Sequence, residues 1–406
     1  MPQHLRALLY DPTHGSASDL VNTVMSAFSN KVAICVINTS QPKVLIDKAI
    51  VASDPSEVVD LSTGEKTLRK LAIVETPDLA AVVLTSGTTN NPKPVELTMT
   101  GLKSSTQALY QHCGITQQDK WLCALPPNYV AGLAIFGRCF VSDSELVFNS
   151  RFEAKIFEES IHDNASTITS LVPHQLQELI DKKIEFGSLR KIIIGGTKID
   201  NKLLEESRSL GLEIFTSYGM TETWGGICID GQFLNNTQGR IRDGEIEVKS
   251  GSVMSGYRHD VLLTQSKFSL DGWFKTGDLG SIENGALKVS GRSDEIINTG
   301  GIKVSPESLE GVISQHIPDF DFAICSTKHP KLGESVTLCV PTSQKESISL
   351  QNLRADLREL IPSTQLPTRL ATIDEIPKTP SGKIKRSVLS RDCQIVSDHF
   401  QNETNG

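Results

Sequence analysis

The chain has 406 residues, 38% of them hydrophobic and 22% charged, which are the values of a soluble globular protein with two or three folding units. Its formal net charge of −8 does not favour a general role in binding nucleic acid or a membrane surface. No stretch approaches the ~20 consecutive apolar residues of a membrane span, and the first residues lack the pattern of a signal peptide. The sequence therefore predicts a cytoplasmic protein with no membrane insertion and no nucleic-acid partner.

The first 75 residues carry weak patterns, which predict a helix at 18–29, a strand at 32–37 and a helix near Thr67. From residue 79 onward, strand-like apolar runs alternate with helix-like segments. The predicted strands are 79–84, 121–125, 145–148, 167–172 and 190–194, and the predicted helices are 101–113, 130–140, 153–162, 174–181 and 200–210. This alternation predicts an α/β fold with mostly parallel strands, in which ligand-binding loops follow the carboxyl ends of the strands.

The pattern changes after about residue 225, where short strands separated by glycines predict a compact β region. Residues 295–386 then combine helices and strands as a small α+β domain on a hinge does. Within it, the predicted helices are 306–314 and 350–360, and the predicted strands are 320–326 and 335–340. We expect a large domain at 1–291, a hinge at 292–294, a mobile domain at 295–390 and a frayed polar tail at 391–406.

A loop rich in hydroxyl groups follows the predicted strand 79–84 and ends in a lysine. Backbone N–H groups and hydroxyls provide many donors for phosphate, and a lysine adds a mobile positive charge. A plain turn is the alternative on this stretch alone, and the loop is not a Walker A motif. The residues concerned are Thr85, Ser86, Gly87, Thr88, Thr89 and Lys93.

Two further stretches follow predicted strands of the α/β region. Gly195 and Gly196 would let a flat ring or a phosphate approach the backbone, although a tight turn explains them equally well. The second stretch offers an aromatic face, a hydroxyl and a carboxylate around a glycine turn, which suits a base, a phosphate and Mg²⁺. Its members are Ser217, Tyr218, Gly219, Thr221 and Glu222.

Three stretches near the predicted hinge and beyond it also carry chemistry. Asp278 follows a glycine and suits two vicinal ribose hydroxyls, or else it caps a turn. Arg292 can bond sugar or phosphate oxygens, and Asp294, two residues later, provides a polar pivot. Lys383 stands in a loop punctuated by proline and glycine at 377–386, which read alone is a solvated basic end.

Taken in order, these motifs resemble the adenylate-forming superfamily of acyl-CoA synthetases, non-ribosomal adenylation domains and luciferases. Stretches at 125–133, 170–177, 218–226 and 298–306 are most similar to the o-succinylbenzoate–CoA ligases of menaquinone biosynthesis, in their short actinobacterial form. The resemblance implies an AMP-forming acid–thiol ligase that uses ATP, Mg²⁺, coenzyme A and a small carboxylic acid. It also implies a large N-terminal domain and a small mobile C-terminal one, and it allows a homodimer.

The resemblance assigns a role to each motif. The loop from Thr85 to Lys93 would hold the β- and γ-phosphates, Tyr218 with Gly195 and Gly196 would enclose adenine, and Asp278 and Arg292 would bind the ribose. Thr221 would bond the α-phosphate, Glu222 would hold Mg²⁺, and Lys383 would bridge the substrate carboxylate and the α-phosphate. After a swing about Asp294, a loop with Gly300, Gly301 and Lys303 would reach the adenylate beside the tunnel for the thiol of coenzyme A.

The acyl pocket is less well defined by the sequence. o-Succinylbenzoate has a second, aromatic carboxylate, so its pocket should contain a cation or several donors. Arg138, on the helix that follows 125–132, is the first candidate, and an ordinary arginine on a helix surface is the alternative. The remaining wall and floor would be formed by Ser217, Trp224 and the pair Gly225 and Gly226.

Two rival functions stay open. The first is a ligase, or a free-standing adenylation enzyme, for another carboxylic acid. The second is a catalytically silent relative that only binds nucleotide or a partner. The joint presence of Glu222, Asp278, Arg292 and Lys383 argues against a silent protein.

Overall fold

The computed structural model describes residues 4–69, 76–86, 92–318, 320–379 and 382–399. The chain divides into two compact units. The first runs to Arg240 and includes Glu247–Phe274 and Asn284–Leu287, and the second takes Ile241–Ile246, Lys275–Glu283 and the chain from Lys288 onward. The hinge predicted at 292–294 stays a prediction.

Helices occur in both units. They are α1 (Ala17–Ser29), α2 (Lys43–Ser53), α3 (Met99–Cys113), α4 (Val130–Ser142), α5 (Ala154–Asn164), α6 (Pro173–Asp181), α7 (Asn201–Ser209), α8 (Val261–Ser266), α9 (Pro306–Ile313), α10 (Leu350–Leu357) and α11 (Arg386–Asp392). Several begin where the sequence provides a side-chain cap: the hydroxyl of Ser16 accepts from the backbone of Asp19, and that of Thr98 accepts from Gly101. None of the helices in the described ranges combines the length and apolar character that crossing a membrane requires.

Strands make up the rest of the regular structure. In the first part of the chain they are β1 (Leu5–Tyr10), β2 (Ala33–Asn38), β3 (Glu57–Asp60), β4 (Lys66–Leu68), β5 (Leu79–Ser86), β6 (Pro92–Thr98), β7 (Trp121–Cys123), β8 (Leu146–Phe148), β9 (Ile168–Leu171), β10 (Lys191–Ile194), β11 (Glu213–Met220) and β12 (Gly225–Ile229). They continue with β13 (Gln232–Phe233), β14 (Thr237–Arg242), β15 (Glu245–Ser250), β16 (Gly256–Tyr257), β17 (Phe274–Glu283), β18 (Ala286–Arg292), β19 (Ile297–Thr299), β20 (Ile302–Val304), β21 (Ala323–His329), β22 (Gly333–Pro341), β23 (Arg369–Ile373) and β24 (Gln394–Asp398).

Two seven-stranded sheets organise the first unit, in the orders β16-β6-β5-β2-β1-β3-β4 and β13-β12-β11-β10-β9-β7-β8. The second sheet contains four successive parallel pairs, which are β8–β7, β7–β9, β9–β10 and β10–β11. The α/β architecture with mostly parallel strands is therefore confirmed. The first sheet also contains antiparallel pairs, which are β16–β6, β5–β6 and β3–β4. Because β5 and β6 are successive, the hydroxyl-rich stretch of the sequence connects two strands of one hairpin.

The start of the chain holds elements that the sequence patterns did not predict. The helix expected near Thr67 is wrong, because this residue lies in β4, which pairs antiparallel with β3. Strand β1, helix α2 and strand β3 had no prediction. Pairing between residues distant in sequence determines this region, since β1 lies between β2 and β3.

The second unit has a sheet in the order β20-β19-β22-β23-β24, with β21 also paired to β22. Helices α9 and α10 cover it through a core that includes Ile313, Val336, Leu338 and Leu357. Strands β14, β15, β17 and β18 form a further four-stranded sheet in that order. The segment predicted as a frayed tail includes β24, where Asp398 forms a buried ion pair with Arg369 at 2.8 Å.

Candidate active site

The hairpin of β5 and β6 carries the first predicted phosphate ligands. Thr85 lies opposite Lys93, and its hydroxyl donates to the carbonyl of Lys93 at 3.3 Å. Ser86 ends β5 opposite Pro92. Residues 87–91, with Gly87, Thr88 and Thr89, lie outside the described residues. The structure thus places the flanking ligands at the end of one hairpin.

The predicted adenine contacts lie together on neighbouring strands. Gly195 directly follows β10, whose last residue pairs with Thr216 of β11. A Cβ atom on Gly195 would lie 3.4 Å from the carbonyl oxygen of Ser217, so the glycine is next to the stretch that holds Tyr218. Gly196 has φ +89°, which favours glycine. This edge of the sheet can therefore accept a flat ring against the backbone.

A tight antiparallel turn carries Thr221 and Glu222. Strand β11 runs to Met220, and the chain returns as β12, with Gly219 opposite Gly226. A Cβ atom on Gly219 would lie 1.9 Å from the carbonyl oxygen of Gly225, so only glycine fits there. The buried hydroxyl of Thr223 donates to that same carbonyl at 2.7 Å. The glycines let the two strands approach and fix the turn between them.

Glu222 is held from two directions. Its backbone carbonyl accepts from Met254 N–H at 2.7 Å, and its Oε1 accepts from the hydroxyl of Tyr257 at 2.7 Å. Tyr257 was not predicted, because its surroundings in the sequence carry no chemical motif. No group of three or more His, Cys, Asp or Glu side chains in the described ranges could hold a metal ion. A single carboxylate fits Mg²⁺, which proteins usually bind through one or two carboxylates together with substrate phosphates.

Arg138 lies inside the protein, not on a helix surface. It is 6% exposed, and its guanidinium carbon lies 5.8 Å from the centre of the Trp121 ring. Its Nη2 would be 3.6 Å from a Cβ atom on Gly225. Among the described residues, none accepts a hydrogen bond from its Nε. Burial lowers the pKa of this guanidinium. A buried charge without an opposite charge costs free energy, so the site suits an anionic ligand that would compensate it.

The sequence predicts that Trp224 forms part of the wall of the acyl pocket, but the structure shows this residue buried. It is 1% exposed, and its indole N–H donates to the carbonyl oxygen of Thr98 at 2.9 Å. Gly101 of α3 leaves room for the ring, because a Cβ atom there would lie 3.1 Å from Trp224 Cδ1. The residue therefore anchors the Glu222 turn to α3 and offers no surface to a substrate.

Gly226 faces Ser217, the other predicted wall residue. A Cβ atom on Gly226 would lie 2.3 Å from Ser217 Oγ. We expect Gly226→Ala to lower the free energy of unfolding by about 1–3 kcal/mol, as overpacking does, in urea denaturation. Ser217→Ala in the same chain removes the clashing hydroxyl and should restore most of the loss. Equal stability of Gly226→Ala and the wild type would contradict this contact.

The second unit brings the predicted ribose ligands together. Arg292 Nη1 lies 3.1 Å from Asp278 Oδ1, and Arg292 Nε lies 3.0 Å from Asp294 Oδ1. Burial alone would lower the pKa of Arg292, but the hydrogen bonds that it donates to Asp294 and the charge of Asp278 raise this pKa. A Cβ atom on Gly277 would lie 3.1 Å from the same guanidinium. The arginine thus links the predicted ribose carboxylate to the predicted pivot.

Lys383 is exposed on a narrow loop with a fixed base. Thr379 N–H donates to the Lys383 carbonyl at 2.7 Å, and Lys383 N–H donates to Thr379 Oγ1 at 3.1 Å. Arg386 is not a solvated residue, since its guanidinium lies 2.8 Å from Glu295 and 2.6 Å from Glu310. The hydrogen bonds fix the backbone of Lys383 while its side chain stays exposed. The ion pairs of Arg386 were not apparent from the sequence.

The predicted loop for coenzyme A is a hairpin turn in the second unit. Gly300 and Gly301 join β19 to β20 with φ of +57° and +87°, which explains the glycine pair. Lys303 is exposed on β20 opposite Asn298. Glu334 accepts from Asn298 N–H at 2.7 Å and fixes the hairpin to β22.

Comparison with known proteins agrees with this geometry. Residues 17–258 match the model of the AMP-binding enzyme family. A probable 2-succinylbenzoate–CoA ligase of Mycobacterium tuberculosis is 31% identical over 361 residues, which are 85% of this chain and 93% of that protein.

Solved structures extend the likeness to almost the whole chain. The o-succinylbenzoate CoA synthetase of Bacillus subtilis in complex with its acyl-adenylate intermediate has a TM-score of 0.83 at 25% identity, covering 98% of this chain and 90% of that one. The same enzyme with ATP and magnesium has a TM-score of 0.82 at 26% identity, covering 96% and 89%. The chain belongs to the AMP-binding enzyme family, within which it is similar to the 2-succinylbenzoate–CoA ligases.

Proposed function

We propose that this chain is an AMP-forming acid–thiol ligase that activates o-succinylbenzoate with ATP and transfers it to coenzyme A, as a step of menaquinone biosynthesis. The choice of acid rests on Arg138. Its guanidinium is buried beside Gly225, and its Nε donates a hydrogen bond to no described residue. o-Succinylbenzoate has one carboxylate to activate and a second one that needs a cation. An acid with a single carboxylate would leave Arg138 uncompensated.

Activation must overcome charge repulsion. A carboxylate is a poor acyl donor, so the reaction passes through a mixed anhydride with AMP, and this brings the carboxylate against the triphosphate. Glu222 would hold Mg²⁺, which would supply positive charge against this repulsion. The lysine and hydroxyls of the hairpin loop at 85–93 would bind the β- and γ-phosphates, and Thr221 would donate to the α-phosphate.

The residues predicted for adenine and for ribose would together bind adenosine. Gly195 and Gly196 admit the ring against the backbone, and Tyr218 would cover it. Asp278 would accept hydrogen bonds from the ribose hydroxyls while Arg292 holds that carboxylate in place, as their separation of 3.1 Å supports.

Two half-reactions would share these groups. Lys383 would contact the carboxylate and the α-phosphate while the anhydride forms and pyrophosphate leaves. A swing about Asp294 would then withdraw Lys383 and bring the hairpin with Gly300, Gly301 and Lys303 to the adenylate, where the thiol of coenzyme A displaces AMP.

The proposed substrate can be tested with a pair of acids. We expect the enzyme with ATP, Mg²⁺ and coenzyme A to form a thioester from o-succinylbenzoate, measured by liquid chromatography. The matched acid is 3-benzoylpropionate, which lacks only the aromatic carboxylate, and its kcat/KM should be lower by about 10²-fold or more. A preference for another acid would favour a different ligase, and no product from any acid would favour the silent relative.

We also propose where the protein is located. A cytoplasmic enzyme is supported by the acidic, soluble composition of the chain. The homodimer that the family resemblance allows stays a prediction. Light scattering would give a mass of about twice the 44.3 kDa of one chain for a dimer. A measured mass equal to that of one chain would exclude the dimer.

A further inference from the structure

A hydrogen bond to the predicted metal ligand comes from outside the catalytic motifs. The hydroxyl of Tyr257 donates to Glu222 Oε1 at 2.7 Å. The tyrosine is 7% exposed, and its backbone N–H donates to Thr264 Oγ1 at 2.8 Å. A buried ring with a fixed backbone can hold its hydroxyl at one point, so the bond restricts how the carboxylate of Glu222 can rotate.

The strand that fixes Tyr257 also carries a predicted phosphate ligand. Tyr257 pairs with Val95 of β6, and Lys93 lies two residues before Val95 on the same strand. The next residue, Arg258, donates its N–H to the Pro94 carbonyl at 2.9 Å. Strand β6 therefore sets the position of the tyrosine relative to the hairpin that would bind the triphosphate.

We propose that Tyr257 is a positioning residue that orients Glu222 and thereby sets the affinity of the ATP-bound site for magnesium. This inference rests on the proposed function. By donating to Oε1, the phenol would leave Oε2 available for the cation and would restrict rotation of the carboxylate. Partners of this kind, which contact a ligand and not the metal, typically change metal affinity by about 10- to 100-fold when removed.

Tyr257→Phe removes only the hydroxyl and tests this role. We expect the free Mg²⁺ concentration for half-maximal pyrophosphate release to rise by about 10-fold or more, with most of the rate recovered at saturating Mg²⁺. Binding of Mn²⁺ to the enzyme–ATP complex, followed by electron paramagnetic resonance, should weaken by a similar factor. Binding of ATP in the presence of EDTA should not change.

Two controls separate positioning from a general structural effect. Tyr10→Phe removes the hydroxyl of another buried tyrosine in the same sheet and should leave the Mg²⁺ dependence unchanged. In a Glu222→Gln background, Tyr257→Phe should have no further effect on metal affinity, because the two residues act as one unit.

The inference is overturned if Tyr257→Phe keeps the wild-type Mg²⁺ and Mn²⁺ affinities, or if it weakens ATP binding equally with and without metal. A wild type that forms no thioester from any acid would instead contradict the proposed function. The Mn²⁺ measurement would still decide the role of Tyr257, because it requires no acid substrate.

Discussion

Lys383→Ala is expected to slow formation of the acyl-adenylate by about 10²- to 10³-fold or more, while thioester formation from preformed acyl-adenylate falls much less. The reason is that a cation placed where negative charge develops is needed while the carboxylate attacks the α-phosphate. The loop fixes the backbone of Lys383 through two hydrogen bonds with Thr379. Its exposed side chain can therefore reach a substrate from a defined base.

The two half-reactions are measured separately to test this. Pyrophosphate release in a single turnover reports adenylation, and thioester formation from supplied o-succinylbenzoyl-AMP reports the second step. Lys385→Ala is the matched control, because it removes an exposed positive charge two residues away. Equal losses in both variants, or equal losses in both half-reactions, would show that Lys383 has no specific role in adenylation.

Arg138→Met should lower kcat/KM for o-succinylbenzoate by about 10²- to 10³-fold, since removing one partner of a buried charge pair costs roughly 2–5 kcal/mol. The same variant should change kcat/KM for 3-benzoylpropionate little, because this acid has no group for the guanidinium to bind. Arg138 would then account for the selection between the two acids.

Thermal unfolding provides the control for Arg138. In the described part of the chain no residue accepts from Arg138 Nε, so Arg138→Met relieves a buried charge and should not lower the Tm of the free protein. Arg138→Lys keeps the charge but loses the planar fork and should recover only part of the activity. Equal losses with both acids, together with a lower Tm, would assign the residue a structural role instead.

Regular periodicity allowed much of the fold to be predicted. Apolar runs at strand and helix spacing located the predicted elements of the central α/β region to within a few residues, although β6 had no prediction. Helix α2 had no such signal, because its apolar residues surround the whole helix, with Val44 60% and Val51 68% exposed. Strand β4 has three exposed residues, so only its pairing with β3 defines it.

The candidate site also combines features that are visible in the sequence with contacts that are not. Motifs led to the prediction of Ser217, Glu222 and Asp278, because glycine, hydroxyl and carboxylate chemistry is visible within a few residues. Contacts between residues far apart in sequence were not visible. Tyr257 reaches Glu222 across 35 positions, and Trp224 packs in the core because Gly101 makes room for it on α3.

The burial of Arg138 links ligand binding to the stability of the protein and to its abundance in the cell. A ligand that binds only the native state raises the free energy of unfolding by mass action, and one that compensates a buried charge binds the native state selectively. Proteases degrade chains mainly while they are unfolded, so a change of 1–2 kcal/mol alters abundance several-fold. The amount of this protein in the cell would then rise with the concentration of the acid that Arg138 binds.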